Sequence, residues 1–180
     1  MSHSLRSASE AAQQKSYVTY TAPLRESDAP RITLLEAPSL LASSGTTGFR
    51  TWEAALHLGS YLVSEHGRSL VSSKNVLELG AGTGFISILC AKHLGTRHVL
   101  ATDGSQEVVN GLKTNISVSG LDEREKIAAE ILQWGHALIG GIVDCRAEKQ
   151  VYDLAIGADV VSFIAFLSHT LFSKRKSDSE

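Results

Sequence analysis

The sequence predicts an α/β fold, a parallel sheet with flanking helices, on three observations. Short apolar runs alternate with helix-period segments from Asn75 onward, and a glycine-rich turn joins the first of these runs to its helix. All 3 prolines lie before residue 40, so no later element is interrupted by one. Parallel strands need crossovers long enough to hold a helix, and the alternation supplies that spacing. The length of 180 residues, 43% of them hydrophobic and 20% charged, suits one core. Folding at this size buries roughly 70% of the surface of the unfolded chain, so Cys90 and Cys145 read as plain thiols with no disulfide or structural metal to form.

Taken in order, residues 1 to 16 lack hydrophobic periodicity and read as a disordered lead-in to a single domain over 17–180. Tyr17 to Tyr20 and Ile32 to Leu35 have short β-like character, punctuated by Pro23, Pro30 and Pro38. Ser43 to Gly48 form a small-residue loop. Thr51 is expected to cap a helix with apolar positions at Trp52, Ala55, Leu56 and Leu62 that stops near Gly67. Asn75 to Leu79 reads as a strand, Phe85 to Leu94 as a helix, His98 to Thr102 as a strand and Gln106 to Ser117 as a helix. Lys126 to Leu132 and Tyr152 to Ala158 read as the third and fourth strands of the sheet.

Charge and patterning exclude some classes. With 17 Lys+Arg against 19 Asp+Glu, the net charge of -2 argues against a polyanion binder, and no direct nucleic-acid partner is expected. Met1 to Gln14 has no apolar h-region, and the longest apolar run, Val160 to Phe172, is interrupted and too short to span a bilayer. No membrane association and a cytoplasmic setting are therefore expected. The sequon Asn115-Ile116-Ser117 is read as chance. His57, His93 and His98 show no metal spacing, and no metal is expected.

Glu78-Leu79-Gly80-Ala81-Gly82-Thr83-Gly84, at the junction of strand and helix, carries the most information. A tight turn there needs residues without a Cβ, both for unusual φ/ψ and for close approach of a ligand. A dinucleotide fingerprint would be G-x-G-x-x-G, but Phe85 stands where its third glycine belongs, and the spacing is G-x-G-x-G. Glu78 would bring a carboxylate near the ligand, which suits a cationic amino-acid moiety better than a diphosphate. Asp103 ends the next strand, where a carboxylate can accept hydrogen bonds from both ribose hydroxyls. The bland alternative is a tight loop with Asp103 as a helix N-cap.

Glu78 to Gly84 followed by Thr102-Asp103 resembles motif I and the next acidic motif of class I S-adenosylmethionine-dependent methyltransferases. Further runs narrow the resemblance: Gly45 to Gly48 with Thr51 to Ala55, Leu112 and Asn115, Leu132 to Gly135, and Gly157 to Val161. Together they look like the protein-lysine methyltransferases of the seven-β-strand group, with Ser16-Tyr17 and Ser44 to Gly48 similar to the elongation factor 2 lysine methyltransferase branch. The resemblance implies a Rossmann-like methyltransferase fold, S-adenosylmethionine as cofactor, and a protein substrate such as elongation factor 2.

Carried over by position, it sets Gly80, Ala81 and Gly82 against the methionine part of the cofactor and Asp103 on the ribose. Trp134 lies near the adenine, Trp52 flanks the cofactor entry, and Ala158 lines the floor at the end of the fourth strand. Aromatic faces attract a sulfonium and stack on a purine, although a tryptophan in isolation is more often core. Asp159 either caps the turn after that strand or faces the substrate amine as the catalytic carboxylate.

The chain also departs from the family. Where Asp-x-x-Tyr is usual, Asp159-Val160-Val161 is followed by Ser162, and only four core strands are counted against seven. The reading is therefore of a C-terminally incomplete domain, with Phe163 to Phe172 either folding over the exposed edge of the fourth strand or forming an apolar patch, and with marginal solubility. A truncated, non-catalytic form that binds cofactor or a partner protein is the alternative, and a nucleotide-dependent oxidoreductase is disfavoured by Phe85.

Overall fold

The architecture was described from a computed structural model, which describes residues 14–22, 29–37, 47–122, 125–133, 139–140 and 151–160. The lead-in to residue 13, Ser43 to Thr46, Trp134, Cys145, Ser162 and the stretch 163–180 lie outside the described residues.

Two short β-prone runs, β1 (Ser16–Thr21) and β2 (Arg31–Glu36), pair antiparallel as a hairpin with Ser16 opposite Glu36 and Tyr20 opposite Ile32. Ile32 and Leu34 are buried, so one face of the hairpin is committed to the core. The expected single helix from Thr51 to Gly67 is instead two, α1 (Glu53–Leu62) and α2 (Glu65–Val71). The break follows from Ser64, whose hydroxyl accepts from the Gly67 amide at 3.1 Å and caps a new helix. Gly67 does not stop a helix. It lies inside α2, where a Cβ would come within 2.1 Å of the Tyr61 carbonyl. Nor does Thr51 cap α1. Trp52 holds the N-cap position without a side-chain cap bond, and the Thr51 hydroxyl is drawn elsewhere by buried partners described below.

The α/β part follows the predicted order: β3 (Asn75–Leu79), α3 (Phe85–His93), β4 (His98–Asp103), α4 (Gln106–Val118), β5 (Ile127–Gln133) and β7 (Leu154–Gly157). A two-residue strand, β6 (Ile139–Gly140), was not foreseen and pairs antiparallel with the end of β5. The sheet runs β6-β5-β4-β3-β7, with β3, β4, β5 and β7 parallel. Chain direction across the sheet thus reverses after β5, and β7 returns to the far side of β3.

Crossovers from β3 to β4 and from β4 to β5 run the same way, so α3 and α4 share one face of the sheet. Helix α3 is buried from Phe85 through Ala91 because it is covered on several sides, by α1, β2, β4 and β5. That explains its apolar sequence all round. Helix α4 packs on β2, β4 and β5, with Val108, Leu112 and Ile116 inward, so the hairpin lies against both crossover helices.

Candidate functional site

In open parallel sheets, ligands bind at the carboxyl ends of the strands where the order reverses, because the crossover helices diverge there and leave a crevice. Here that point lies between β3 and β7, and the glycine turn begins at it. Gly80, Gly82 and Gly84 all have positive φ, at 65°, 54° and 86°, which a Cβ would strain. At Gly84, the N-cap of α3, a Cβ would also stand 2.2 Å from Leu112 Cδ1.

The turn is held by its neighbours. The Ala81 amide donates to the Thr102 carbonyl at 2.8 Å, and the Thr102 hydroxyl donates to the Glu78 carbonyl at 2.7 Å, locking the ends of β3 and β4 together. Asp103 joins two backbones. Its Oδ2 accepts from the Gly82 amide and its Oδ1 from the Ser105 amide, each at 3.1 Å. Ser105, not Asp103, is the N-cap residue of α4, so the bland reading of Asp103 as a cap is not what the structure shows. Each oxygen of the half-buried carboxylate retains acceptor capacity, since a carboxylate offers about four lone-pair sites.

Glu78 lies deeper than its sequence position suggested. It is 3% exposed, bonded to the Ser87 hydroxyl on α3, and burial pushes its carboxyl up to about 7, against the pull of Ser87 and with a smaller push from Asp103. Trp52 is half-buried. Its indole N–H donates to the Thr47 carbonyl at 2.9 Å, and the Arg50 guanidinium, itself bonded to Glu53 at 2.9 Å, sits 4.6 Å from its ring centroid.

Beyond β7, Ala158 is half-buried and Asp159 exposed with φ of 61°. Val160 closes onto the turn, its Cγ1 3.0 Å from where a Gly80 Cβ would stand. The structure thus gathers Gly80, Ala81, Gly82, Asp103 and the segment from Ala158 to Val160, with Glu78 beneath them. Gln133, part of the Leu132 to Gly135 run but given no role of its own in the sequence, donates to the Gly104 carbonyl at 3.0 Å and ties the end of β5 to the Asp103 turn. No group of His, Cys, Asp and Glu able to hold a metal ion occurs among the described residues.

The pattern of the lysine methyltransferase family matches residues 40–173, well over half of the chain. The chain belongs to that family. Among curated relatives of this chain, protein-lysine N-methyltransferase EFM3 of Chaetomium thermophilum is 51% identical over 172 residues, 93% of this chain and 51% of the relative. EFM3 of Saccharomyces cerevisiae is 33% identical over 72% of this chain and 40% of its own length. Human protein-lysine N-methyltransferase EEF2KMT is 31% identical over 56% of this chain and 29% of its own length. The chain spans about half the length of the Chaetomium thermophilum relative and less than half of the other two.

Among solved structures, the Thermus thermophilus 16S rRNA N2 G1207 methyltransferase RsmC, in complex with AdoMet and guanosine, superposes with a TM-score of 0.52 and 19% identity. It covers 79% of this chain and 32% of that one, and supports the Rossmann-like methyltransferase fold. Within the described residues no helix is long and apolar enough to cross a membrane.

Two buried polar groups have roles that the sequence did not announce. Glu36 is a buried carboxylate in β2, and nothing in the pattern of a short β-prone run announces it. Asn115, met there as a sequon and a motif residue, is 2% exposed and bonded to three backbone groups.

Proposed function

We propose that this lysine methyltransferase binds S-adenosylmethionine at the glycine turn and methylates a lysine of a protein substrate, elongation factor 2 by its resemblance to that branch. The observation that carries the proposal is the bond between Asp103 and the Gly82 amide, which sets a carboxylate beside a turn of three positive-φ glycines at the reversal of strand order. These residues fit the cofactor. The turn brings backbone close to the ligand, Asp103 retains acceptors for a ribose diol, and Glu78 puts a carboxyl below the turn for the amino-acid end. Phe85, buried as the first residue of α3 and packed on Tyr20, leaves no third glycine for a diphosphate.

When bound, the cofactor supplies an electrophilic methyl group; the chain's own residues position the partners. Gly80, Ala81 and Gly82 would hold the methionine part and Asp103 the ribose. Trp52 would flank the entry and Trp134 the adenine, with Ala158 on the floor. A lysine, with an ordinary pKa of about 10.4, arrives as an ammonium and must lose a proton before its amine attacks. Asp159, exposed beyond β7 and next to Val160 on the turn, would orient the incoming ammonium and pass its proton to water. The cytoplasmic setting and the single domain over 17–180 belong to the same proposal.

Calorimetric titration of the full chain with S-adenosylhomocysteine tests the site. Binding is expected, with roughly tenfold to hundredfold loss in Asp103→Ala, since a hydrogen bond to a charged group contributes about 1.5–3 kcal/mol. No heat with the wild-type chain sinks the cofactor site. Incubation with labelled S-adenosylmethionine and elongation factor 2 tests the reaction: label on a lysine supports it, and binding without label overturns the catalytic half.

A further inference from the structure

The hairpin of β1 and β2 is far from the sheet's strand ends in sequence, yet it is bonded to the glycine turn through two intermediaries, Thr51 and Asn115. Thr83, between Gly82 and Gly84, is held from two sides. Its carbonyl accepts from Asn115 Nδ2 at 2.9 Å, and its hydroxyl lies 2.7 Å from the Thr51 hydroxyl. Thr51 has a single O–H, which it donates to Glu36 Oε1 at 2.5 Å; the Thr83 hydroxyl must therefore be the donor to Thr51. The other oxygen of Glu36 accepts from the Tyr20 hydroxyl at 3.2 Å, and the Tyr20 ring meets Phe85 edge-on at 5.3 Å, just past the turn. Glu36, Thr51 and Thr83 are all buried.

Asn115 completes the connection. Its Oδ1 accepts from the Leu35 amide at 2.8 Å while Nδ2 donates to the Leu35 carbonyl at 3.4 Å. The amide thus pairs with Leu35 as a neighbouring strand would, and spends its remaining N–H on the turn. A side chain that served only to hold α4 to β2 would not need that last bond.

We infer that the hairpin, Thr51 and Asn115 form a clamp that sets the shape of the glycine turn and so the affinity for the cofactor. Thr51, Glu36 and Asn115 are positioning residues, acting through Thr83 and not by touching the ligand. The cofactor clause rests on the proposed function, whereas the clamp itself can be read without any ligand.

The test uses the full chain and three variants. Thr51→Val keeps the shape and removes the hydroxyl; Thr51→Ser restores it; Asn115→Asp keeps the acceptor toward Leu35 and removes both donations. Amide hydrogen exchange is followed by mass spectrometry in peptides over 80–88 and, as a control, over 127–133, without ligand. Losing one bond to the turn, as each of Thr51→Val and Asn115→Asp does, should speed exchange over 80–88 about two- to tenfold, with Thr51→Ser near wild type and the control unchanged.

Equal change in both peptides, as a merely structural loss would give, overturns the clamp, and so does no change in either. Affinity for S-adenosylhomocysteine, measured well below each Tm, should fall by a similar factor in Thr51→Val and recover in Thr51→Ser. Unchanged affinity beside altered exchange overturns the cofactor clause. Absence of binding by the wild-type chain refutes the proposed function instead, and the exchange data still decide the clamp. Should Asn115→Asp fail to fold, the two Thr51 variants carry the same decision.

Discussion

Replacing Glu78 by Gln should stabilise the protein at neutral and alkaline pH and do little in acid. The carboxyl is fully buried beside Ser87, and burial raises it from its ordinary 4.5 to about 7. A raised carboxyl binds its proton more tightly folded than unfolded. Its stabilising contribution is therefore complete below 4.5 and is lost as pH rises through 7. At 1.36 kcal/mol per pH unit, the interval from 4.5 to about 7 amounts to roughly 3 kcal/mol. Glutamine cannot ionise, and its carbonyl still accepts from the Ser87 hydroxyl. Integrating the two titrations predicts that Glu78→Gln gains on wild type by roughly 1 kcal/mol at pH 5, 2 at pH 6 and 3 at pH 8, above any constant offset. Urea unfolding of both proteins at those pH values measures the gap, and the paired design cancels every other titrating group. A gap independent of pH, or one that shrinks as pH rises, would refute the reasoning, since it would mean that the folded protein holds the charged form at least as well as water does.

Two glycines should respond in opposite directions to alanine. Gly84→Ala combines a φ of 86° with a Cβ only 2.2 Å from Leu112 Cδ1, and a loss of roughly 3 kcal/mol is expected in urea unfolding. Gly111→Ala lies inside α4 with nothing within 4 Å of the new Cβ, and should gain about 0.5–1 kcal/mol; a loss there would show that the glycine is required for some other reason. Cys90 is buried on α3 and its thiol is pushed up, by burial first and then by Glu78. Alkylation at Cys90, followed by peptide mass spectrometry, should be negligible in the native protein and should rise with urea along the unfolding transition. Fast labelling of the folded chain would contradict the packing.

The features legible in the sequence are those governed by neighbouring residues. Alternation of apolar periods located β3, α3, β4, α4, β5 and β7 to within about two residues, because side-chain period follows local backbone geometry. Gly80, Gly82 and Gly84 were readable as a turn for the same reason: the sign of φ is a property of single residues, and all three have the positive φ that only glycine adopts without strain. Asp103 was placed beside them because parallel strands of similar length end at one edge, as the register of Leu79 with Thr102 bears out.

Even near the turn, local reading had limits. Thr51 looked like a helix cap because its hydroxyl precedes a helical stretch, but that hydroxyl is turned to buried partners, donating to Glu36, 15 residues earlier, and accepting from the Thr83 hydroxyl where a cap would accept from a helix amide. Gly67 looked like a stop because glycine often is one, whereas here the carbonyl of Tyr61 leaves no room for a side chain.

What the sequence by itself determined is the α/β order, the glycine turn and the acid that faces it. Only the tertiary structure decided that Glu78 is buried against Ser87, that the hairpin rests on α3 and α4, and that Asn115 meets Leu35 across 80 residues of chain. The physical reason is the range of the forces that select each feature. Backbone sterics and side-chain period act over one to four residues and are written in the local sequence. The burial of a carboxylate and the partner of an amide are set only when distant segments dock and water leaves between them.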